Sequence, residues 1–262
     1  MTIQPRRRRT TARPVVREGT GIHTGRPARI RISPQPFGTG VRFRRGGQAL
    51  SMARAEPGAT VLCGPGVRLG TPEHLLAAIS GLWLTDLLVE VSGGDEVPAL
   101  DGSAAGWVTA LDDAGCAEGP PLSCRALPRV RVEEAGGWAA SDPESDALSV
   151  VVDFGARGPS GALTVRRREA AFRTEVAWAR TFVHADDIAT LRAAGRGAGA
   201  DAQNTAVWPS GPLRSPDEPV RHKLLDLWGD LALLGPYAGS VTAHRGSHRL
   251  HHALIEAIRA AW

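Results

Sequence analysis

The chain of 262 residues is poor in cysteine and lysine and contains no long apolar run. Its three cysteines, Cys63, Cys116 and Cys124, have no metal-ligand spacing, which excludes a zinc finger and gives no disulfide framework. No apolar stretch approaches the ~20 residues that a membrane-spanning helix needs. No apolar run follows the basic N-terminus, as it would in a signal peptide. We therefore expect free thiols, no transmembrane segment and a cytoplasmic location.

The charge balance is mildly basic, and nearly all of the positive charge is arginine. Thirty-one Lys and Arg residues against 27 Asp and Glu residues give a net charge of +4, and Lys223 is the only lysine. This excess favours acidic partners such as phosphates, nucleotides or nucleic acid. The basic residues are scattered apart from a run at 6–9, which we interpret as a solvated tail. Because RNA-binding aromatic motifs are also missing, we expect no nucleic-acid partner.

The hydrophobic pattern predicts an α+β protein made of two similar domains, each a β-sheet packed against helices. Apolar and polar residues alternate over short segments, which is typical of half-buried strands, and longer apolar stretches predict helices. Strands are predicted at 28–32, 41–43, 87–91, 129–133, 148–154, 162–165 and 205–208, and helices from Thr71 as N-cap and at 105–114, 186–194, 219–234 and 249–261. We assign residues 1–118 to an N-terminal domain, 119–128 to a Gly- and Pro-rich linker and 129–262 to a C-terminal domain.

Titratable side chains lie four residues apart along the predicted helix at 219–234. His222, Asp226 and Asp230 share one face of this helix, and leucines cover its apolar face. Polar groups on an apolar helix are costly unless each has a partner. Imidazole and carboxylate at this spacing can bind one divalent metal, although most isolated pairs of this kind are surface contacts.

A third ligand would complete a catalytic metal site, and His74 is the best candidate. Two histidines and one aspartate would leave the fourth position open to water, which is the pattern of catalytic zinc. Zinc lowers the pKa of such a water to about 7, and the neighbouring Glu73 could accept its proton. The histidines at 244, 248, 251 and 252 form a second group, which by itself is a weak signal.

Several segments together resemble the UDP-3-O-acyl-N-acetylglucosamine deacetylases of Gram-negative bacteria. The matching segments are Gly-Ile-His-Thr-Gly at 21–25, Thr-Pro-Glu-His-Leu at 71–75, Glu-Val-Pro-Ala-Leu-Asp-Gly-Ser-Ala at 96–104, Ala-Arg-Thr-Phe at 179–182, Arg-His-Lys-Leu-Leu-Asp at 221–226, Gly-Asp at 229–230 and Thr-Ala at 242–243 leading to His248. They follow the family order over nearly the whole chain. The resemblance implies two α+β domains with the active site at their interface.

The resemblance also assigns the zinc ligands and the acid–base groups. The ligand positions fall on His74, His222 and Asp226, and the general base falls on Glu73. Iron(II) could replace zinc at such a site. The cationic acid that protonates the leaving amine falls on His248, with the orienting carboxylate on Asp230. The family's oxyanion stabilisers fall on Thr181 and Lys223.

The substrate implied by the resemblance is a UDP-linked, acylated N-acetylglucosamine, from which the family removes acetate in the committed step of lipid A synthesis. The family's sugar and nucleotide pocket falls on Asp153, Phe154 and Phe182, and its basic nucleotide segment on Arg245. Because the product is amphiphilic, transient contact with a membrane surface is also implied.

Two positions of the family's acyl passage are polar in this chain, His184 and Asp201. We therefore hypothesise that catalysis is retained while the lipid pocket has diverged. Two alternatives stay open: a deacetylase of another nucleotide-linked N-acetyl sugar, and an inactive paralogue that binds metal.

Overall fold

The computed structural model describes residues 6–262, apart from the side chain of residue 157. The strands are β1 (Arg7–Thr11), β2 (Val15–Thr20), β3 (Pro27–Pro34), β4 (Val41–Arg45), β5 (Gln48–Leu50), β6 (Met52–Glu56), β7 (Ala59–Gly64), β8 (Val67–Gly70), β9 (Leu87–Gly93), β10 (Cys116–Pro121), β11 (Arg125–Ala126), β12 (Val130–Glu134), β13 (Gly137–Asp142), β14 (Ala147–Asp153), β15 (Ser160–Arg166), β16 (Thr181–His184), β17 (Thr205–Trp208), β18 (Tyr237–Ala238) and β19 (Ser240–His244). The α-helices are α1 (Glu73–Gly81), α2 (Ala105–Asp113), α3 (Glu169–Ala171), α4 (Ile188–Ala193), α5 (Glu218–Leu231) and α6 (His248–Ala261). A π-helical turn (Phe172–Val176) follows α3, and short 3₁₀ turns occur at Gly155–Arg157, Ala185–Asp187 and Ala232–Leu234.

Two five-stranded sheets have the same strand order. The first runs β2-β3-β9-β4-β5 and the second β12-β13-β19-β14-β15. In the first sheet the central strand β9 pairs in parallel with β4, and in the second sheet the central strand β19 pairs in parallel with β14. The other strand pairs of both sheets are antiparallel. The α+β prediction is confirmed, and the repeated topology agrees with the repeated plan expected from the sequence.

The helices hold the two sheets together. Helix α1 packs along α5, while α5 and α6 both contact strands of the second sheet. One continuous core contains side chains from both halves, including Ile30 and Val89 of the first sheet, Val150 of the second and Leu75 and Leu224 of the helices. Burial of these apolar side chains is the main favourable term that fixes α1 against α5.

Helix α1 does not use Thr71 as its N-cap, so this part of the prediction was wrong. The cap is Pro72, and no side chain caps the helix. Thr71 has a positive φ of 54°, and its hydroxyl donates to the carbonyl of Gly70. Its amide donates to the carbonyl of Thr60 at 3.0 Å, and this tertiary contact replaces the local cap.

Two segments predicted to be irregular take part in sheets. Residues 119–128 contain the end of β10, which pairs with β1, and all of β11, which pairs with β18. The N-terminal arginine run is therefore not a solvated tail, since Arg7 and Arg9 lie in β1 and Arg6 stacks on Trp83. The stacking and pairing partners are distant in sequence, so local composition did not indicate them. The domain boundaries themselves stay a prediction.

Several strands were not predicted, among them β7, β16 and β19. Strand β13 was also missed, and its small residues give only a weak strand signal. A β-α-β unit made of β16, α4 and the parallel strand β17 extends from the second half. The hairpin strands β6, β7 and β8 extend from the first half. The three cysteines are free thiols, as predicted. None of the helices within residues 6–262 has the length and apolar character needed to cross a membrane.

Candidate metal-dependent active site

A cavity of about 1250 Å³ lies where the two halves meet. Its wall includes the start of α1, one face of α5, the start of β16 and the start of α6. The turn between β6 and β7, near residue 57, and the β-α-β unit of β16, α4 and β17 form the rest of the wall. The cavity is large enough for a drug-sized or larger ligand.

Three predicted metal ligands converge in this cavity. The Nε2 atoms of His74 and His222 lie 3.6 and 3.5 Å from Oδ1 of Asp226. One ligand atom from each residue lies within 4.8 Å of the other two. Two atoms that each lie about 2.1 Å from a tetrahedral zinc are about 3.4 Å apart, so this spacing suits such an ion.

The charges around this group suit a cation as well. Burial opposes the charge of Asp226, but His222, Lys223 and His74 outweigh it and hold the pKa of this carboxyl well below its usual range. Burial lowers the pKa of His222 to about 3, so its imidazole is neutral. Lys223 Nζ donates to Oδ2 of Asp226 at 2.7 Å, which leaves Oδ1 facing the histidines. A neutral imidazole and an ionised carboxylate are the forms that bind metal.

Glu73 lies beside this group at the first residue of α1. Its side chain is buried, and Oε1 accepts a hydrogen bond from the backbone amide of Thr60 at 2.8 Å. Burial raises the pKa of Glu73, and the neighbouring charge of Asp230 raises it further. A carboxylate whose pKa is moved towards neutrality is a better base for water than an exposed one.

His248 and Asp230 form a buried pair next to Glu73. Nδ1 of His248 lies 2.7 Å from Oδ2 of Asp230, and its Nε2 lies 3.6 Å from Oε1 of Glu73. Burial lowers the pKa of His248, but the charge and hydrogen bond of Asp230 outweigh it and raise this pKa to about 9. Burial likewise opposes the charge of Asp230, yet the charge and hydrogen bond of His248 and the hydrogen bond of His251 keep its pKa below the usual range. His248 is therefore cationic at neutral pH.

Three residues that the sequence argument gave no role surround Asp230. His251 Nδ1 lies 2.7 Å from Oδ2 of Asp230, and the Thr60 hydroxyl lies 2.6 Å from Oδ1. His252 Nε2 contacts the same hydroxyl at 2.9 Å. The histidine spacing on α6 is a possible signal for His251, which follows His248 by three residues on one helix face. Nothing in the sequence around Thr60 indicates its position.

Three further predicted residues line the cavity. The Thr181 hydroxyl lies 3.1 Å from Nε2 of His222. Phe182 packs edge-on against His222 and against Phe154, with ring centroids 5.6 and 5.8 Å apart. Phe154 is half exposed. The two phenyl rings therefore form an open apolar wall next to the metal ligands.

The structure does not bring Asp153 and Arg245 into the cavity wall. Asp153 is exposed and accepts a hydrogen bond from the amide of Gly155 within its own turn. Arg245 is also exposed, and its φ of 50° lies in the left-handed region. Arg249, four residues later, lines the cavity instead. The amide of Arg245 donates to the carbonyl of Val151 at 2.8 Å, a contact with a distant segment that the sequence does not reveal.

The β-α-β unit gives one side of the cavity a polar character. His184 and Asp201, the two departures noted in the sequence, both line the cavity. Arg196 also lines it and donates from Nη2 to Nε2 of His23 at 2.7 Å. Leu191 and Val207 are apolar residues of the same wall.

A His, His and Asp group lies beside a carboxylate and a buried His–Asp pair, in a cleft between two α+β halves. This is the arrangement of a metal-dependent hydrolase. Comparison with known proteins narrows this class. The sequence model of the family described as LpxC, UDP-3-O-acyl N-acetylglycosamine deacetylase, matches residues 8–260. The chain belongs to this family of deacetylases.

Individual relatives match along almost their whole length. A protein of Brucella melitensis biotype 2 named UDP-3-O-acyl-N-acetylglucosamine deacetylase is 36% identical over 275 residues, covering 95% of this chain and 94% of the relative. Proteins of the same name from Brucella ovis and Brucella canis are 35% identical over the same shares.

Proposed function

We propose that the protein removes the acetyl group from UDP-3-O-acyl-N-acetylglucosamine, giving UDP-3-O-acyl-glucosamine and acetate in the committed step of lipid A synthesis. Family membership supports the reaction class. The observation that carries the proposal is the convergence of a three-residue ligand group, Glu73 and the His248–Asp230 pair on one cavity.

We propose zinc as the metal, held by His74, His222 and Asp226, with iron(II) as the alternative. The spacing of the three ligand atoms and the protonation states of their side chains support this assignment. When bound, such an ion polarises the carbonyl of the acetamide and acidifies a water molecule.

Glu73 is the proposed general base. Hydrolysis of the acetamide requires one proton to leave the attacking water, and the Glu73 carboxylate lies at the cavity wall to receive it. The Thr60 amide holds Oε1 of Glu73 in place. Burial raises the pKa of Glu73, which increases the affinity of this carboxylate for the proton of the attacking water.

His248 is the proposed general acid. When the carbon–nitrogen bond breaks, the departing amine needs a proton, and a cationic imidazole at the cavity wall can supply it. Asp230 keeps this imidazole charged and oriented through the 2.7 Å contact at Nδ1, so Nε2 is left to face the substrate. Glu73, 3.6 Å from Nε2, is close enough to return a proton after the product leaves.

Thr181 and Lys223 are proposed to stabilise the tetrahedral oxyanion. Both line the cavity next to the ligand group. Lys223 also neutralises Asp226, so its ammonium is held near the reacting carbonyl rather than free in solvent. A donor aimed at developing negative charge in a water-poor site is a large contributor to rate.

The phenyl rings of Phe154 and Phe182 are proposed to contact the sugar and nucleotide. Asp153 and Arg245 remain proposals for the same region, and they would need a loop movement to reach the cavity. A nucleotide-linked substrate and three free thiols fit a cytoplasmic enzyme. An amphiphilic product fits transient contact with a membrane surface.

The test is mass spectrometry of UDP-3-O-acyl-N-acetylglucosamine incubated with the purified protein, with and without a chelator. Chelator-sensitive loss of one acetyl group is the expected result. A Glu73→Gln variant should retain its metal and lose turnover, and unchanged turnover would contradict the assigned base.

A second candidate function is deacetylation of a different nucleotide-linked N-acetyl sugar. The polar residues His184, Asp201 and Arg196 in the cavity wall favour it. Parallel reactions with UDP-N-acetylglucosamine and with acylated substrates of several chain lengths separate the two. Equal rates with and without an acyl chain would favour the second function.

A further inference from the structure

Thr60 is a fully buried residue of β7 that uses all of its polar groups at the candidate site. Its amide donates to Oε1 of Glu73 at 2.8 Å, and its carbonyl accepts from the amide of Thr71 at 3.0 Å. Its hydroxyl contacts Oδ1 of Asp230 at 2.6 Å and Nε2 of His252 at 2.9 Å. One side chain and its backbone therefore connect α1, α5 and α6.

The direction of the two hydroxyl contacts follows from the chemistry of the partners. An ionised carboxylate only accepts hydrogen bonds, so the Thr60 hydroxyl donates its proton to Asp230. The remaining contact must then be donated by Nε2–H of His252 to the Thr60 oxygen. Burial lowers the pKa of His252, which is consistent with a neutral ring protonated at Nε2.

The proposed mechanism requires the carboxylates of Glu73 and Asp230 to keep a fixed distance and orientation relative to each other. They belong to different helices, α1 and α5, and both are buried carboxyl groups. Donors placed between two buried carboxylates stabilise both charges and hold each in one orientation. Thr60 gives one donor to each carboxylate.

We propose that Thr60 is a positioning residue for the hydrolysis, holding the general base Glu73 and the carboxylate of Asp230 in one arrangement, with His252 fixing the direction of its hydroxyl. The proposal rests on the proposed function. Thr60 acts through its neighbours, because it does not line the cavity.

The experiment compares Thr60→Val with Thr60→Ser in the metal-loaded, full-length protein. Valine keeps the shape and the amide donor to Glu73 but removes the hydroxyl, whereas serine restores the hydroxyl. We expect Thr60→Val to lower kcat about 10- to 100-fold, with KM within about 3-fold, as is typical for a partner of a catalytic side chain. Thr60→Ser should recover most of kcat, and His252→Gln, which keeps a donor, should lose less than Thr60→Val.

Thr11→Val is the matched control. Thr11 is also a buried threonine on a strand, and its hydroxyl has no hydrogen-bond partner within the described part of the chain. This substitution should leave kcat and KM unchanged. Metal content and melting temperature, measured for every variant, identify any loss that comes from unfolding or from an empty metal site.

A double-mutant cycle separates positioning from general packing. In an Asp230→Ala background the Thr60 hydroxyl has no carboxylate to orient, so adding Thr60→Val should lower the residual kcat by less than about 3-fold. Full additivity of the two losses would overturn the proposal, as would a folded, metal-loaded Thr60→Val variant with normal kcat, or a serine variant as slow as valine. A wild-type protein that releases no acetate would instead refute the proposed function.

Discussion

Replacing Asp230 by asparagine tests the charge that holds His248 protonated. The side chain of Asp230 is fully buried and lies 2.7 Å from Nδ1 of His248. Its charge and hydrogen bond are the main reasons that the pKa of His248 is raised to about 9 against the cost of burial. Relative to the ordinary value near 6.5, this corresponds to about 3 kcal/mol in favour of the charged imidazole.

Asparagine keeps the shape of the side chain but removes its charge. Burial still lowers the pKa of His248, but the negative charge that raised this pKa is gone. We therefore expect the pKa of His248 to fall by at least about 2 pH units. The assay is kcat/KM for acetate release between pH 5.5 and 10.5. The wild-type rate should decline above about pH 9, and the variant rate should decline from below about pH 7.

The loss should therefore depend on pH. The ratio of wild-type kcat/KM to Asp230→Asn kcat/KM should be at least about 10-fold larger at pH 8 than at pH 6. His248→Gln is the control, because this variant should no longer show the decline in kcat/KM at high pH. The decline at high pH could stay at the wild-type pH in Asp230→Asn, or it could persist in His248→Gln. Either result would mean that another group controls the decline, and it would refute the assignment of His248 as the acid.

The other predictions concern stability and metal binding. Gly229→Ala should lower stability by about 1–3 kcal/mol and reduce activity in a denaturation and turnover assay, because a Cβ there would overlap the carbonyl oxygen of Glu73. Asp226→Asn should weaken metal binding at least about 10-fold by competition with a chelator, since it removes the only anionic ligand. The Asp230–His248 pair should add stability fully between about pH 4 and about pH 6.5, the unfolded pKa values of aspartate and histidine, and lose that contribution as the pH rises through about 9. Chemical denaturation of wild type and Asp230→Asn at pH 6 and pH 9.5 measures this, and an equal difference at both values would contradict it.

Within residues 6–262, local patterns predicted five of the six α-helices and seven of the nineteen strands, because those signals lie within a few residues. The spacing of His222 and Asp226 on α5 placed two side chains on one helix face, and the structure brings both to the cavity. His74 is separated from them by most of the chain, so the sequence made it only a candidate ligand beside Glu73, and the family segments then assigned it to the metal site. The structure places His74 at the same point.

Contacts between distant segments account for what the sequence did not reveal. Thr60 and Asp230 are 170 positions apart, and no periodicity links a threonine on a strand to an aspartate on a helix. The N-terminal arginines were misinterpreted for the same reason, since their partners lie in β10 and at Trp83. The loop residue Arg245 is also held by a distant segment, because its amide donates to the carbonyl of Val151 at 2.8 Å.

The repeated topology explains why the site lies between the halves. In each half one helix precedes the central strand, α1 before β9 and α5 before β19, and another follows it, α2 and α6. The two preceding helices pack against each other, so residues at the start of α1 face residues along α5. The helices that follow the central strands, α2 and α6, differ at their first residues. The first residue of α6 is His248, which lines the cavity. At the equivalent start of α2, Ala105 has no titratable side chain. A symmetric frame thus brings the proposed metal ligands together from paired helices, while the proposed acid, His248, comes from one half only.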